Sequence, residues 1–284
     1  MKILIIGRRG QVGWELRRTL APLGEIVAMD HPTVDLSDPE SLRPLVRDVA
    51  PDLVVNAAAY TAVDKAEDEI DLCRRVNAGA PRVLAEEAAR LGARLVHFST
   101  DYVYDGRKEG RWTESDPTGP LSVYGATKLE GDQRIAATGV QNLIFRLQWV
   151  WGTRGGNFVR TMLKLSRERE ELKIIDDQVG APTWCRHIAE TTASAIARWQ
   201  GQSGVYHLAA AGETSWHGFA RAIFEDDPLR EEQVLKSVLP IPTSAYPTKA
   251  ERPLNSRLDQ SKLLTEFGLK LPDWRSALKD SFEE

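Results

Sequence analysis

Residues 2–16 read KILIIGRRGQVGWEL: an apolar run stops at a glycine, two more glycines follow at three-residue steps, and an amphipathic helical pattern begins. A strand that runs straight into a glycine-rich turn and a helix opens a dinucleotide-binding βαβ unit. The glycines let the backbone turn sharply and approach a pyrophosphate, whose charge is favoured at the helix N-terminus. Gly7, Gly10 and Gly13, with Arg9, Gln11 and Val12 among them, are therefore the first candidate coenzyme residues. The next apolar run, EIVAMD, ends in Asp30, where a carboxylate would accept hydrogen bonds from an adenosine ribose and favour NAD. Arg8 and Arg9 pull the other way, since a guanidinium there would neutralise the 2′-phosphate of NADP. Both NADH and NADPH are therefore expected. Asp35 and Leu36 are expected near the adenine, and Ala58, Ala59 and Tyr60, which follow the run DLVVN, along the path of the coenzyme.

Outward from this unit, the runs DLVVNAA, RLVHFST and NLIFRL alternate with helical patterns near 39–49, 77–91 and 123–138. Strands separated by helices of this length form a parallel sheet covered on both faces. The expected architecture is α/β, a Rossmann-type doubly wound parallel sheet over residues 1–150. Beyond it the apolar runs shorten and Gly, Pro and charged turns become denser, as in KIIDDQVGAPTW. Residues 151–284 are expected to form a smaller, irregular substrate domain. That boundary is soft, because helical segments such as 186–199 can return to the first domain.

The stretch YGATK at 124–128 places a tyrosine and a lysine four residues apart with only small side chains between them. On a helix such residues share one face. A nearby ammonium favours the phenolate, so Lys128 is expected to lower the pKa of Tyr124 and let it exchange a proton with a substrate oxygen. Ser99 and Thr100 end the run RLVHFST, and a hydroxyl at the C-terminal end of such a strand faces the ligand crevice. Thr100 is the stronger candidate, because successive strand residues point to opposite faces.

Composition removes other classes of function. The 284 residues are 42% hydrophobic, enough for a sizeable core, and 37 Lys and Arg against 41 Asp and Glu leave no basic footprint for nucleic acid. Cys73 and Cys185 stand alone, without the spacing of a disulfide framework or a zinc site, and are expected to be buried thiols in a reducing cytoplasm. No run has the length of a membrane span, and the KILIIG start lacks the features of an export signal.

With the glycine loop, NAAA at 56–59, STDYVYDG at 99–106 and YGATK in this order, the chain resembles the extended short-chain dehydrogenase/reductases. The blocks GQVGWEL, VNAGAP, NFVRTML, DDQVGAPT and RPLNSRLD extend that likeness nearly end to end, toward members that act on dTDP-linked 4-keto-6-deoxy sugars. The resemblance implies reduction of the 4-keto group of dTDP-4-dehydro-L-rhamnose by NADH or NADPH, the final step of dTDP-L-rhamnose synthesis, in a homodimer. It implies Tyr124 as proton donor, Lys128 as its activator and ribose anchor, and Thr100 as the third member of the catalytic set. Thr100, Asp101, Tyr102, Tyr124 and Trp149 would touch the sugar, and Arg252 would lie near the diphosphate. The family pattern has Ser before that tryptophan and Tyr two residues after it, where this chain has Gln148 and Trp151. Some relatives are described with a magnesium ion held between subunits by glutamates. Glu15 matches one such position, but Arg186 stands where a second glutamate is expected, so no metal is expected. Two alternatives stand beside the reductase. One is a sugar-nucleotide epimerase or dehydratase on the same scaffold, which would need further acid and base groups where Asp101 and Tyr102 stand. The other is a non-catalytic, NADP-binding regulatory subunit.

Overall fold

The computed structural model describes residues 1–283. The apolar runs form six strands: β1 (Lys2–Ile6), β2 (Glu25–Met29), β3 (Leu53–Asn56), β4 (Arg94–Thr100), β5 (Asn142–Leu147) and β6 (Gly204–His207). They make one sheet in the order β6-β5-β4-β3-β1-β2, with every neighbouring pair parallel. The order turns back at β1 and β3, so a crevice opens beyond the C-terminal ends of these strands.

Helices α1 (Gln11–Thr19), α2 (Leu42–Val49), α3 (Ala80–Leu91), α4 (Val123–Ala137) and α5 (Cys185–Ala197) cover the two faces. Strand parity decides which residue meets which helix. Ile3, Ile5, Val96 and Phe98 share a core with Leu16 of α1, Leu20 just after it, and Ile188 and Ile196 of α5. Leu4, Ile6, Leu95 and Ile144 share the opposite core with Val46 of α2, Val83 and Leu84 of α3 and Ile135 of α4.

The chain crosses residue 150 and comes back. Both α5 and β6 lie beyond it, yet α5 packs in the sheet's own core and β6 pairs with β5. The remainder forms a third core around Trp151, Val159, Trp184, Phe219 and Leu278. Helices at 158–168, 216–226 and 274–282 and a parallel strand pair, Glu171–Ile175 with Ser237–Ile241, make this region more regular than its Gly and Pro content implies. Four of the eight tryptophans, Trp112, Trp151, Trp184 and Trp199, are buried in packing roles. Both cysteines are buried and free. Among the described residues, no helix is long and apolar enough to cross a membrane.

Candidate active site

The crevice holds a cavity of about 680 Å³ whose wall includes Gly7, Arg9, Gly10, Gln11, Val12, Asp30, Ala58 and Ala59 at one end. Two glycines are required by close approach. A methyl on Gly7, whose φ is +93°, would lie 2.8 Å from the Ala57 carbonyl carbon and the Ala58 nitrogen, and one on Gly13 would lie 2.0 Å from Gly7 O. The turn is therefore pressed against both the 57–59 loop and the start of α1. No side chain caps that helix, and its first turn carries no acidic residue, so its N–H groups are left for an anionic ligand. This cradle fits a dinucleotide. Asp30 accepts from Arg9 N at 2.9 Å, and the Arg9 guanidinium reaches His31 O at 3.4 Å, so the carboxylate and the cation that favour different coenzymes lie side by side. Gly13 serves packing rather than the wall. Asp35, Leu36 and Tyr60 also lie outside it: Asp35 accepts from Ser37, Leu36 packs on the α2 side of the sheet, and the Tyr60 hydroxyl donates to Glu69 at 2.5 Å.

At the other end of the cavity stand Thr100, Asp101, Tyr102, Tyr124 and Lys128. Ser122 caps α4 by accepting from Gly125 N at 3.2 Å, and Glu67 accepts from Val123 N at 2.8 Å, which fixes the turn that carries Tyr124. Gly125 explains the small residues of YGATK, since a methyl there would lie 2.2 Å from Tyr102 O. The helix can thus seat Tyr124 directly against the strand end. The Tyr102 and Tyr124 rings meet edge to face with centroids 5.6 Å apart. Thr100 Oγ1 donates to Asp101 Oδ1 at 3.1 Å and accepts from Tyr102 N at 3.2 Å. Ser99 points the other way and donates to Asp132 at 2.8 Å, inside the protein.

The electrostatics correct one sequence expectation. Burial holds the Tyr124 phenol well above its ordinary pKa, with the Thr100 hydroxyl opposing the rise in part. The proximity of Lys128 does not offset that rise. Its ammonium is turned to Phe98 O at 2.5 Å and His97 Nε2 at 3.2 Å, and burial pushes its pKa down to about 8 against the pull of Asp132 and Cys73. Desolvation outweighs spacing because Lys128 is buried and the Tyr124 phenol is largely surrounded by protein. A phenol kept protonated at neutral pH is a proton donor, which is what delivery to a developing alkoxide requires. Burial also pushes the Asp101 carboxyl up to about 7, against the Ser256 and Thr100 hydroxyls.

Between the two ends, the Trp149 indole stacks on Trp216 with centroids 3.7 Å apart. Trp149 has φ +44°, a conformation that costs a non-glycine residue on the order of 1–3 kcal/mol and concentrates at ligand sites. Gln148 is buried, with Oε1 accepting from Ala181 N at 3.2 Å, while Trp151 is part of the third core. Arg252 is not in the cavity wall. Its guanidinium grips Asp64 at 2.7 and 3.2 Å. Glu15 is faced by Arg18 at 3.3 Å and Arg186 at 3.8 Å. Wall residues to which the sequence reading gave no role include Thr61, Val63, Asn157 and Trp216. His97 and Asn56 were equally hidden, although His97 stands between Val96 and Phe98 in β4 and Asn56 ends the apolar run of β3.

A parallel, doubly wound sheet with a glycine cradle at its reversal point defines a Rossmann-type nucleotide-binding scaffold. The chain belongs to the RmlD substrate binding domain family, whose model matches residues 1–284. It is 51% identical to a dTDP-4-dehydrorhamnose reductase of Burkholderia thailandensis over 98% of this chain and 97% of that one. It is 45% identical to the protein of that name from Escherichia coli K12, over 100% and 98%. A solved dTDP-4-dehydrorhamnose reductase of Bacillus anthracis, in complex with NADP, superposes with a TM-score of 0.92 at 33% identity, covering 99% of this chain and 98% of that one.

Proposed function

We propose that this chain reduces the 4-keto group of dTDP-4-dehydro-L-rhamnose to dTDP-L-rhamnose, with NADPH or NADH as reductant. The observation that carries the proposal is Tyr124, a half-buried phenol kept protonated and set beside Thr100 at the foot of a coenzyme-sized cavity, in a chain alike end to end to reductases of that name. Gly7, Arg9, Gly10, Gln11, Val12, Asp30, Ala58 and Ala59 would hold the coenzyme. Bound in its reduced form, the nicotinamide supplies the hydride for the ketone carbon. Tyr124 gives its proton to the ketone oxygen, and Thr100, turning its hydroxyl proton away from Asp101, donates a hydrogen bond to that oxygen. Lys128 keeps a positive charge behind the phenol as it becomes anionic. Asp101, Tyr102 and the stacked Trp149 confine the sugar, so binding energy from the remote nucleotide is spent on orientation. Arg252, held by Asp64, braces the Tyr102 side of the site. As a cytoplasmic homodimer the chain would need no metal for this chemistry.

The decisive experiment mixes purified protein with reduced coenzyme and the 4-keto sugar nucleotide and follows loss of nicotinamide absorbance. Stoichiometric oxidation with formation of the 4-hydroxy sugar supports the reductase. Coenzyme binding without oxidation would favour the regulatory-subunit alternative. Sugar turnover without net oxidation would favour an epimerase or dehydratase.

A further inference from the structure

Lys128, 1% exposed, reaches two groups on β4, Phe98 O and His97 Nε2. His97 is wholly buried and registers opposite Asn56 of β3, with Nδ1 3.1 Å from Asn56 Nδ2. Asn56 Oδ1 accepts in turn from Ala58 N at 3.3 Å, in the loop that packs on Gly7. A neutral imidazole has one N–H and one lone pair, and an ammonium has only donors. When Lys128 is charged it donates to Nε2, which puts the imidazole proton on Nδ1, facing the amide NH2 of Asn56. Two donors then confront each other. Turning the carboxamide over offers Oδ1 to His97 and releases the Ala58 N–H. When Lys128 is a neutral amine, Nε2–H donates to it, Nδ1 accepts from Asn56, and Oδ1 keeps the Ala58 N–H. The two self-consistent arrangements differ by one proton.

We propose that Asn56, His97 and Lys128 form a proton-linked coupling between the reaction centre and the coenzyme loop, with His97 as the positioning residue whose tautomer follows the charge of Lys128. In the charged arrangement the Ala58 N–H is available to a coenzyme oxygen; in the neutral one it is taken. The inference rests on the role given above to Lys128. The titratable and charged groups around this lysine are Tyr124 and Asp132 of α4, Cys73 of the helix Ile70–Arg74, and His97, with Arg146 of β5 beside Asp132 at 3.5 Å. Burial, aided by the Lys128 charge, holds the imidazole pKa well below its usual value, so His97 stays neutral and only its tautomer changes. The exchange is centred where Lys128 titrates, near pH 8.

Nitrogen-15 spectra of imidazole-labelled wild-type protein test this directly, with His97→Gln identifying the signal. The expected result is the Nδ1–H tautomer at pH 6.5, passing to Nε2–H as the pH rises through about 8. The Nε2–H form at pH 6.5, or one unchanged tautomer up to pH 9, would overturn the coupling. Fluorescence titration with NADPH gives a second readout. Wild-type affinity should weaken several-fold between pH 7 and 9, the scale of one hydrogen bond. In His97→Gln, which offers the ammonium an acceptor but has no tautomer, the part of that change owed to the coupling should vanish; an unaltered pH dependence in the variant would also overturn it. Should the variant fail to fold, the wild-type spectra decide alone. Neither readout uses turnover, so a protein that binds NADPH without reducing the sugar would sink the proposed function and leave the coupling standing.

Discussion

Replacing Gly125 by alanine perturbs the seat of the catalytic helix without touching a reactive group. The added methyl would lie 2.2 Å from Tyr102 O, 3.0 Å from Tyr102 C and 3.1 Å from Pro120 Cβ. Ordinary contact with a carbonyl oxygen begins about 1 Å further out, so α4 and the 101–103 turn must part by roughly that distance. Overpacking of this kind costs about 1–3 kcal/mol, while alanine in a helix regains about 1 kcal/mol over glycine. The net loss of about 0–2 kcal/mol should lower Tm by no more than several degrees for a chain of this size. Catalysis should suffer more. Thr100 leads into the turn, Tyr102 sits on it and Tyr124 is on the helix, so the displacement opens the reaction centre itself, and a misplacement of about 1 Å costs on the order of 100-fold. In Gly125→Ala, kcat/KM for coenzyme oxidation should fall by about that factor, with NADPH affinity within a few-fold of wild type. Activity within a factor of about two of wild type would refute the claim that close approach of glycine to Tyr102 places the phenol.

Three further outcomes are expected. Tyr124→Phe should lose about 10²–10⁴-fold in kcat, the scale of a proton donor, while NADPH still quenches protein fluorescence; near-normal turnover would remove the phenol from the mechanism. Asp30→Ala should weaken NADH by about tenfold and NADPH much less, because only the ribose 2′-hydroxyl of NADH donates to a carboxylate there; equal losses in both titrations would refute that role for Asp30. The buried Asp101 carboxyl, raised from 3.8 to about 7, favours the protonated folded state. Its favourable contribution is therefore complete below the unfolded value and lost as pH rises through the folded one, between about 4 and 7. Urea denaturation should show wild type losing stability across that window relative to Asp101→Asn, and parallel curves would count against it.

What was legible in the sequence is what local spacing determines. The 2–16 stretch combines strand, glycine turn and helix within a few residues, and Tyr124 and Lys128 are four apart, so their placement needs no knowledge of the rest of the chain. β6 was missed because GVYH at 204–207 is short and joins the sheet only through pairing with β5, a contact across about 60 residues of sequence. Asn56 and His97 have no evident partner in the sequence until the register sets them opposite each other. Arg252 pairs with Asp64 once the fold brings the two together, a partner that the spacing of RPLNSRLD does not reveal. Charge state was the least legible property, because spacing tells which groups meet, whereas exclusion of water decides whether they are ionised. That exclusion depends on residues with no chemistry of their own. Gly125 brings α4 within contact of Tyr102, and Gly131, whose added methyl would lie 2.2 Å from Asn77 O, brings the same helix against the 75–79 turn. Between those two approaches sits Lys128, dry enough to titrate near pH 8, with Tyr124 at the end of the same seam kept as an acid. The reactivity of YGATK therefore follows as much from its glycine, and from the one six residues further on, as from the phenol and the amine that the motif is known by.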